Sequence, residues 1–282
     1  MSVFMINPFE KPLYLEKFGL KEAPYTTNPD ERYLYLTPIH EEAISMCGRV
    51  IQNREGAGLI IGDQGTGKTT IMRRLTTMMK DYADVFNIAV VETAEHCPTM
   101  FQLVKEILES FGQECVGRDT KDRVDQLKQY LFDSFKAQKA CVLFIDEAQQ
   151  MQGKLLESLR GLLNFEDPAA GGKLLQIILL AMPSINRKLR YAPSFSNRVI
   201  KTELRRMTKE EMTDMLEWRF KQAEGKFFPL DNSSLDTLYA VSKGNPRTIC
   251  GIAQIALELA GTTNQAVTPD IIKELATRRV TN

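Results

Sequence analysis

The sequence predicts an α/β protein, a parallel sheet between helices, followed by an all-helical region. Three observations carry this. Short apolar runs alternate with helical stretches between about residues 38 and 207, the pattern of a parallel sheet covered on both faces. The first run, Leu59-Ile60-Ile61, ends in a glycine-rich turn that opens a helix. After Thr208 the strand signal stops and only helical stretches follow.

Taken in order, residues 1–40 are rich in proline and aromatic residues: Asn7-Pro8-Phe9, Ala23-Pro24-Tyr25, Asn28-Pro29-Asp30 and Tyr33-Leu34-Tyr35-Leu36. That is loop and turn chemistry with large apolar anchors, a segment that packs over something else. A helix is expected from Thr37-Pro38 to about Asn53, with threonine as cap and proline at its first position. Strand Leu59–Ile61 and helix Lys68–Met79 come next. Strand Phe86–Val91 leads to helices near Thr99–Phe111 and Thr120–Gln138. Strand Cys141–Ile145, helix Leu155–Phe165, and strands Leu174–Ala181 and Val199–Leu204 complete the alternation. The helical region holds Lys209–Glu224, Ser233–Ser242, Thr248–Ala260 and Pro269–Arg278, and Trp218 and the Phe227-Phe228 pair read as its core. A boundary near Met207 divides the chain into a packing segment 1–40, a core 41–207 and a helical lid 208–282.

Composition is that of an ordinary globular protein, with 43% apolar and 26% charged residues. No window holds the roughly 20 apolar residues of a spanning helix, and Met1–Lys11 does not read as a signal peptide, so the expected compartment is the cytoplasm, away from membranes. Cys47, Cys97, Cys115, Cys141 and Cys250 are scattered, odd in number and without a CxxC, which points to reduced thiols rather than a disulfide framework or a zinc site. The 36 basic and 36 acidic residues balance, so any nucleic acid must be met by local placement of charge.

Gly62-Asp63-Gln64-Gly65-Thr66-Gly67-Lys68-Thr69 matches G-x-x-x-x-G-K-S/T in full, between an apolar strand and a helix. In such a loop backbone amides cradle phosphate oxygens at the helix N-terminus. Lys68 supplies a point charge to the β- and γ-phosphates, and the Thr69 hydroxyl can complete magnesium coordination. With Thr70 beside them, these residues are the candidate ATP-binding set. Val142-Leu143-Phe144-Ile145-Asp146-Glu147 is an apolar strand ending in two acids. It delivers two carboxylates to the C-terminal edge of the sheet, Asp146 to hold Mg²⁺ and Glu147 to orient and activate water.

The two motifs, with the further strand Phe86–Val91 between them and a glutamate beside the Walker B aspartate, resemble the additional-strand class of P-loop NTPases that includes the AAA+ ATPases. Three roles follow from that resemblance. Arg247, in Lys243-Gly244-Asn245-Pro246-Arg247, looks like the sensor 2 arginine, which reaches from the lid to the γ-phosphate. Arg198, just before the last strand, resembles the arginine finger that enters a neighbour's site, with Arg190, Arg205 and Arg206 as competitors. The sequence departs from the pattern at sensor 1: Ala181-Met182-Pro183-Ser184 carries no amide, so either Ser184 serves or hydrolysis is slow and partner-dependent.

Phe18-Gly19-Leu20-Lys21-Glu22-Ala23-Pro24-Tyr25, Asn28-Pro29-Asp30 and Tyr33-Leu34-Tyr35-Leu36-Thr37 resemble the N-terminus of the ExeA/GspA-like ATPases. That family includes secretion-associated ATPases and the TnsC- and TniB-type regulators of transposition. The secretion members typically add a membrane anchor and a peptidoglycan-binding domain, and this chain ends at Asn282 with neither. The resemblance therefore implies a homo-oligomer, a ring or helical filament, that binds double-stranded DNA in its ATP state and recruits a transposase and target-selector proteins. A stand-alone secretion or cell-envelope ATPase, and a nucleotide-gated scaffold with little turnover, are the alternatives. By the same comparison, DNA meets Glu95-His96-Cys97 and Gly117-Arg118-Asp119-Thr120-Lys121, with Arg118, Thr120 and Lys121 on the phosphates. A solvated loop with Asp119 or Thr120 as helix cap is the competing reading.

Overall fold

The computed structural model describes residues 12–27, 31–92, 97–167, 171–263 and 265–280. The chain divides into two compact units: Pro38–Arg205, and Met1–Thr37 together with Arg206–Asn282.

The first unit is built on a five-stranded parallel sheet. Its strands are β1 (Ala57–Gly62), β2 (Phe86–Val91), β3 (Ala140–Ile145), β6 (Leu175–Ala181) and β7 (Val199–Leu204), in the spatial order β2-β3-β6-β1-β7. Between β3 and β6, Glu166–Asp167 (β4) and Gly172–Lys173 (β5) pair antiparallel outside this sheet. The helices are α2 (Pro38–Gln52), α3 (Lys68–Lys80), α4 (Met100–Ser110), α5 (Thr120–Lys136), α6 (Gly153–Leu163), α7 (Ile185–Leu189) and α8 (Pro193–Ser196); α1 (Leu13–Phe18) lies in the second unit.

Side-chain alternation along the central strands explains why they are mostly apolar on both faces. Leu59 and Ile61 of β1, Leu143 and Ile145 of β3, and Ile177 and Leu179 of β6 join one core with α4, α5 and α6. Ile60, Val142, Phe144, Ile178 and Leu180 join the other, with α2 and α3. A strand buried on both faces favours apolar side chains, each contributing about 1.5–3 kcal/mol on burial. Gln176 of β6 is buried but hydrogen-bonded, accepting the Gly56 N–H at 2.9 Å and donating to the Lys173 carbonyl at 2.8 Å. Asp119, the N-cap of α5, accepts a 2.8 Å hydrogen bond from the Asp122 N–H, and Thr99 caps α4 in the same way.

The second unit comprises α1, a 3₁₀ turn at Glu31–Tyr33, and α9 (Lys209–Gln222), α10 (Asn232–Ser242), α11 (Pro246–Thr263) and α12 (Pro269–Val280). Thr208 and Glu211 form a reciprocal capping box at the start of α9. The N-terminal anchors pack within this unit: Tyr14, Leu15, Phe18, Leu20, Tyr25 and Tyr33 share a core with Met212, Leu216, Ile252 and Leu257. Tyr25 is fully buried, and its hydroxyl donates to the Leu216 carbonyl at 3.2 Å. Gly244, at φ +71°, would drive any Cβ into the Met207 carbonyl. Asn245 then accepts from the Thr248 N–H at 3.2 Å, so the Gly-Asn-Pro-Arg turn is first of all a tight helix start.

Two expectations need correction. Loop chemistry alone does not describe residues 1–40, because Leu13–Phe18 is helical and ends at Gly19 in the left-handed conformation. Lys17 donates to the Ala260 and Gln265 carbonyls at 2.8 and 2.7 Å, tying α1 to the end of α11. Phe227 is not lid core: it is 72% exposed, whereas Phe228 packs edge-on against Phe220 and Trp218 lies against Tyr35.

Candidate functional site

Three strand ends build the site. β6 lies between β1 and β3 and pairs with both, Leu179 standing level with Leu59 on one side and Ile145 on the other. The glycine-rich loop leaves β1, the acidic pair leaves β3, and Met182 follows β6, all at the carboxyl edge of the sheet where open α/β sheets bind ligands.

The loop owes its shape to glycine. Gly65 and Gly67 stand at φ +81° and +97°, a region that side chains with a Cβ rarely adopt. Thr66, almost wholly buried, donates through its hydroxyl to the Asp63 carbonyl at 2.8 Å. From outside, buried His40 of α2 donates through Nε2 to the Thr66 carbonyl at 2.8 Å, and a Cβ on Gly67 would sit 3.1 Å from that nitrogen. α3 then starts at Lys68 with no side chain capping its N-terminus. Of the other loop residues, Gln64 is exposed, while Gly62 is buried and Asp63, Thr69 and Thr70 are partly buried.

Lys68 is buried, and its ammonium donates to the Gly62 and Asp63 carbonyls at 2.8 and 3.0 Å. Burial pulls its pKa below the usual lysine value, while the carboxylates of Glu147, Asp146 and Asp63 pull it back up. The Thr69 hydroxyl donates to Asp146 Oδ2 at 2.7 Å, and the other Asp146 oxygen accepts the Glu147 N–H at 2.8 Å. A hydroxyl and a carboxylate this close form a hard oxygen pair of the kind Mg²⁺ takes alongside water and phosphate oxygens. The donor set therefore fits the ion, which Thr69 and Asp146 would hold. When bound, Mg²⁺ would supply charge neutralisation at phosphate oxygens.

Glu147 follows Asp146 with left-handed backbone, φ +50°. Its carboxylate accepts a very short hydrogen bond from the Gln149 side-chain amide, and Gln149 Oε1 accepts the Met182 N–H at 2.9 Å. Gln149 and His40 are the functional candidates that sequence reasoning missed. No motif marks either; each is defined by a partner 26 to 33 residues away.

The remaining candidates are dispersed. Ser184 is exposed, just before α7, where it makes no capping hydrogen bond. Arg198 is exposed immediately before β7 and donates to Asn164 Oδ1 at 2.6 Å. Arg190, Arg205 and Arg206 are exposed as well. Arg247 is exposed on the second residue of α11, in the helical unit. Arg118, Thr120 and Lys121 are exposed at the start of α5. Arg123 holds that corner, donating to the Gly117 and Phe101 carbonyls at 3.0 and 2.8 Å and stacking over the Phe101 ring. The cap is Asp119, as the competing reading of this segment had it, while Arg118 and Lys121 project from the same turn. Glu95 and His96 lie outside the described residues. Among the described residues no helix is long and apolar enough to cross a membrane, and no three His, Cys, Asp or Glu side chains form a metal cluster.

Comparison with known proteins agrees with this architecture. Residues 51–189 match the AAA domain model. The chain is 30% identical over 251 residues to general secretion pathway protein A of Aeromonas hydrophila, covering 87% of this chain but only 44% of that protein. Among solved structures, the ORC2 protein of Aeropyrum pernix in its ADPNP-ADP complexes aligns with a TM-score of 0.63 at 16% identity, over 91% of this chain and 71% of that one. Cdc6p of Pyrobaculum aerophilum aligns at 0.66 and 14% identity, over 90% and 70%. The Aeropyrum pernix ORC1 protein, solved in complex with DNA, aligns at 0.63 and 16% identity, over 90% and 68%. At such identities these structures establish the fold alone. The chain is built on the AAA+ P-loop fold, residues 51–189 being similar to the AAA domain model and most of the chain similar to part of general secretion pathway protein A.

Proposed function

We propose that this protein hydrolyses ATP at the site between the glycine-rich loop and the Asp146-Glu147 pair. The observation that carries the reading is the contact of Thr69 with Asp146, which joins the phosphate loop to the acidic strand end. Amides of the loop and Lys68 bind the phosphates, Thr69 and Asp146 hold Mg²⁺, and Glu147 accepts the proton of the attacking water. Arg247 senses the γ-phosphate, and Arg198 completes the site of an adjacent subunit in a ring or filament.

On this reading the oligomer works on double-stranded DNA, gripping phosphates through Arg118, Thr120 and Lys121, and marks a site to which a transposase and target-selector proteins are recruited. The exposure of these residues and the fold shared with an ORC1 protein solved on DNA support the DNA step. A second reading, a secretion or cell-envelope ATPase, is favoured by the relationship to general secretion pathway protein A. Imaging and sedimentation with duplex DNA and a non-hydrolysable ATP analogue test the choice. Nucleotide-dependent rings or filaments on DNA sustain the first reading. Assembly indifferent to DNA, with DNA-independent turnover, moves the assignment to the second.

A further inference from the structure

Gln149 stands in the 3₁₀ turn Ala148–Gln150 that follows the acidic pair. Its two amide atoms have different partners, and those partners fix which atom is which. The Glu147 carboxylate can only accept, and the Met182 N–H can only donate, so the nitrogen must face the carboxylate and the oxygen the peptide. The flipped amide would set oxygen against oxygen and N–H against N–H.

The turn carrying this amide is itself held. Met151, which ends it, is buried, and its carbonyl accepts the Lys188 ammonium of α7 at 2.8 Å. The Gln150 N–H closes the turn on the Glu147 carbonyl at 2.8 Å. One side chain thus spans from the acid that ends β3 to the first peptide after β6, where the sequence supplies no polar side chain before Ser184.

We infer that Gln149 is a positioning residue that clamps the Glu147 carboxylate to the Met182 peptide, so that the aim of the carboxylate follows the position of the β6 end. This rests on the ATPase reading for its catalytic consequence, but the clamp is testable without it. Gln149 acts by limiting the rotamers of Glu147, and a carboxylate held in one direction loses less freedom when it takes a proton from water.

Three substitutions separate the arms of the clamp. Gln149→Ala removes both. Gln149→Glu keeps an acceptor for Met182 but sets two carboxylates side by side, which then share a proton. Glu147→Gln combined with Gln149→Glu exchanges amide and carboxylate and restores the pairing in reverse. Turnover, KM and nucleotide affinity are measured alongside thermal unfolding of each single and double variant. We expect Gln149→Ala to lower kcat about tenfold with nucleotide affinity within about twofold, the signature of a lost orientation rather than lost binding. In unfolding, the exchanged pair should be more stable than the two single substitutions predict by addition. Parent kcat in both single variants would overturn the positioning role, as would additive unfolding. If the parent shows no turnover and Glu147→Gln changes nothing, the ATPase reading falls. The unfolding cycle then decides the clamp alone, coupling sustaining it and additivity rejecting it.

Discussion

Thr69 donates its hydroxyl hydrogen to Asp146 across 2.7 Å, joining two residues 77 positions apart. The sheet makes this possible, because β1, which leads through the loop into the helix of Thr69, and β3, which leads into Asp146, flank β6 and end at the same edge. An oxygen pair so placed serves a divalent ion better than a nucleotide alone. Asp146→Asn is therefore expected to weaken ATP binding about tenfold in Mg²⁺ and to leave binding in EDTA unchanged. Isothermal titration under both conditions measures it. Equal losses with and without the ion would remove Asp146 from metal binding.

Glu147 differs from its neighbour in its partner: Asp146 accepts from Thr69, whereas the Glu147 carboxylate accepts from Gln149. Glu147→Gln preserves shape while removing the base. ATP affinity should stay within about twofold while turnover falls about tenfold to a hundredfold. A variant that hydrolyses ATP at the parent rate would show that the water is activated elsewhere.

Much of this was legible in the sequence, and for a physical reason. The bounds read for strands Phe86–Val91 and Val199–Leu204 are those of the structure, and the phosphate loop is marked by its glycines, of which Gly65 and Gly67 take positive φ. What escaped depends on distant partners. The six residues Leu13–Phe18 are too few to show a helical period, and they fold against α11, where a Cβ on Gly261 would collide with Tyr14. His40 reads as a polar residue within an amphipathic helix until the Thr66 carbonyl is seen in front of it. Phe227 and Phe228 are alike in sequence, yet Phe227 is exposed and Phe228 partly buried, because Phe228 packs against the Phe220 ring.

His40 supplies the third expected outcome. Its removal strands a buried loop carbonyl, which costs about 1–3 kcal/mol. His40→Ala should lower the thermal midpoint and weaken ATP binding together, since the same hydrogen bond serves both. His40→Gln, which keeps an N–H at a similar reach, should recover part of each. Parent-like ATP affinity in His40→Ala would mean that the loop holds its shape without this brace.

Arg198 is exposed and bonded only through Nη1 to Asn164 in the described contacts, which leaves the rest of its guanidinium for a neighbour. If it acts in trans, Arg198→Ala subunits will bind ATP without hydrolysing it. Mixed with Lys68→Ala subunits, whose pockets fail but whose Arg198 is intact, they should regain activity at mixed interfaces. The measurement is turnover against mixing ratio, with co-assembly followed by sedimentation. Co-assembly without any recovery would transfer the role to Arg190, Arg205 or Arg206, or place hydrolysis within one subunit.

The charge balance of the chain shapes the last expectation, that duplex DNA is bound without marked sequence preference and only by the ATP-bound oligomer. With 36 basic and 36 acidic residues a single copy exerts little net pull on phosphates, and Asp119 and Asp122 stand beside Arg118 and Lys121. Repeating a weak contact along a duplex turns it into firm binding by multivalency. Because each phosphate contact releases counterions, affinity should fall steeply as salt rises. Arg118→Glu with Lys121→Glu should abolish DNA binding and leave ATP binding untouched, since the corner itself is held by Arg123, the Asp119 cap and the Phe101 ring. Fluorescence anisotropy of a labelled duplex, taken with and without the ATP analogue over a salt series, reads both effects. Tight, salt-insensitive binding by the nucleotide-free monomer would contradict the mechanism. The absence of binding under every nucleotide condition would instead favour the secretion-type reading, in which Arg118 and Lys121 are solvated charges on a helix start.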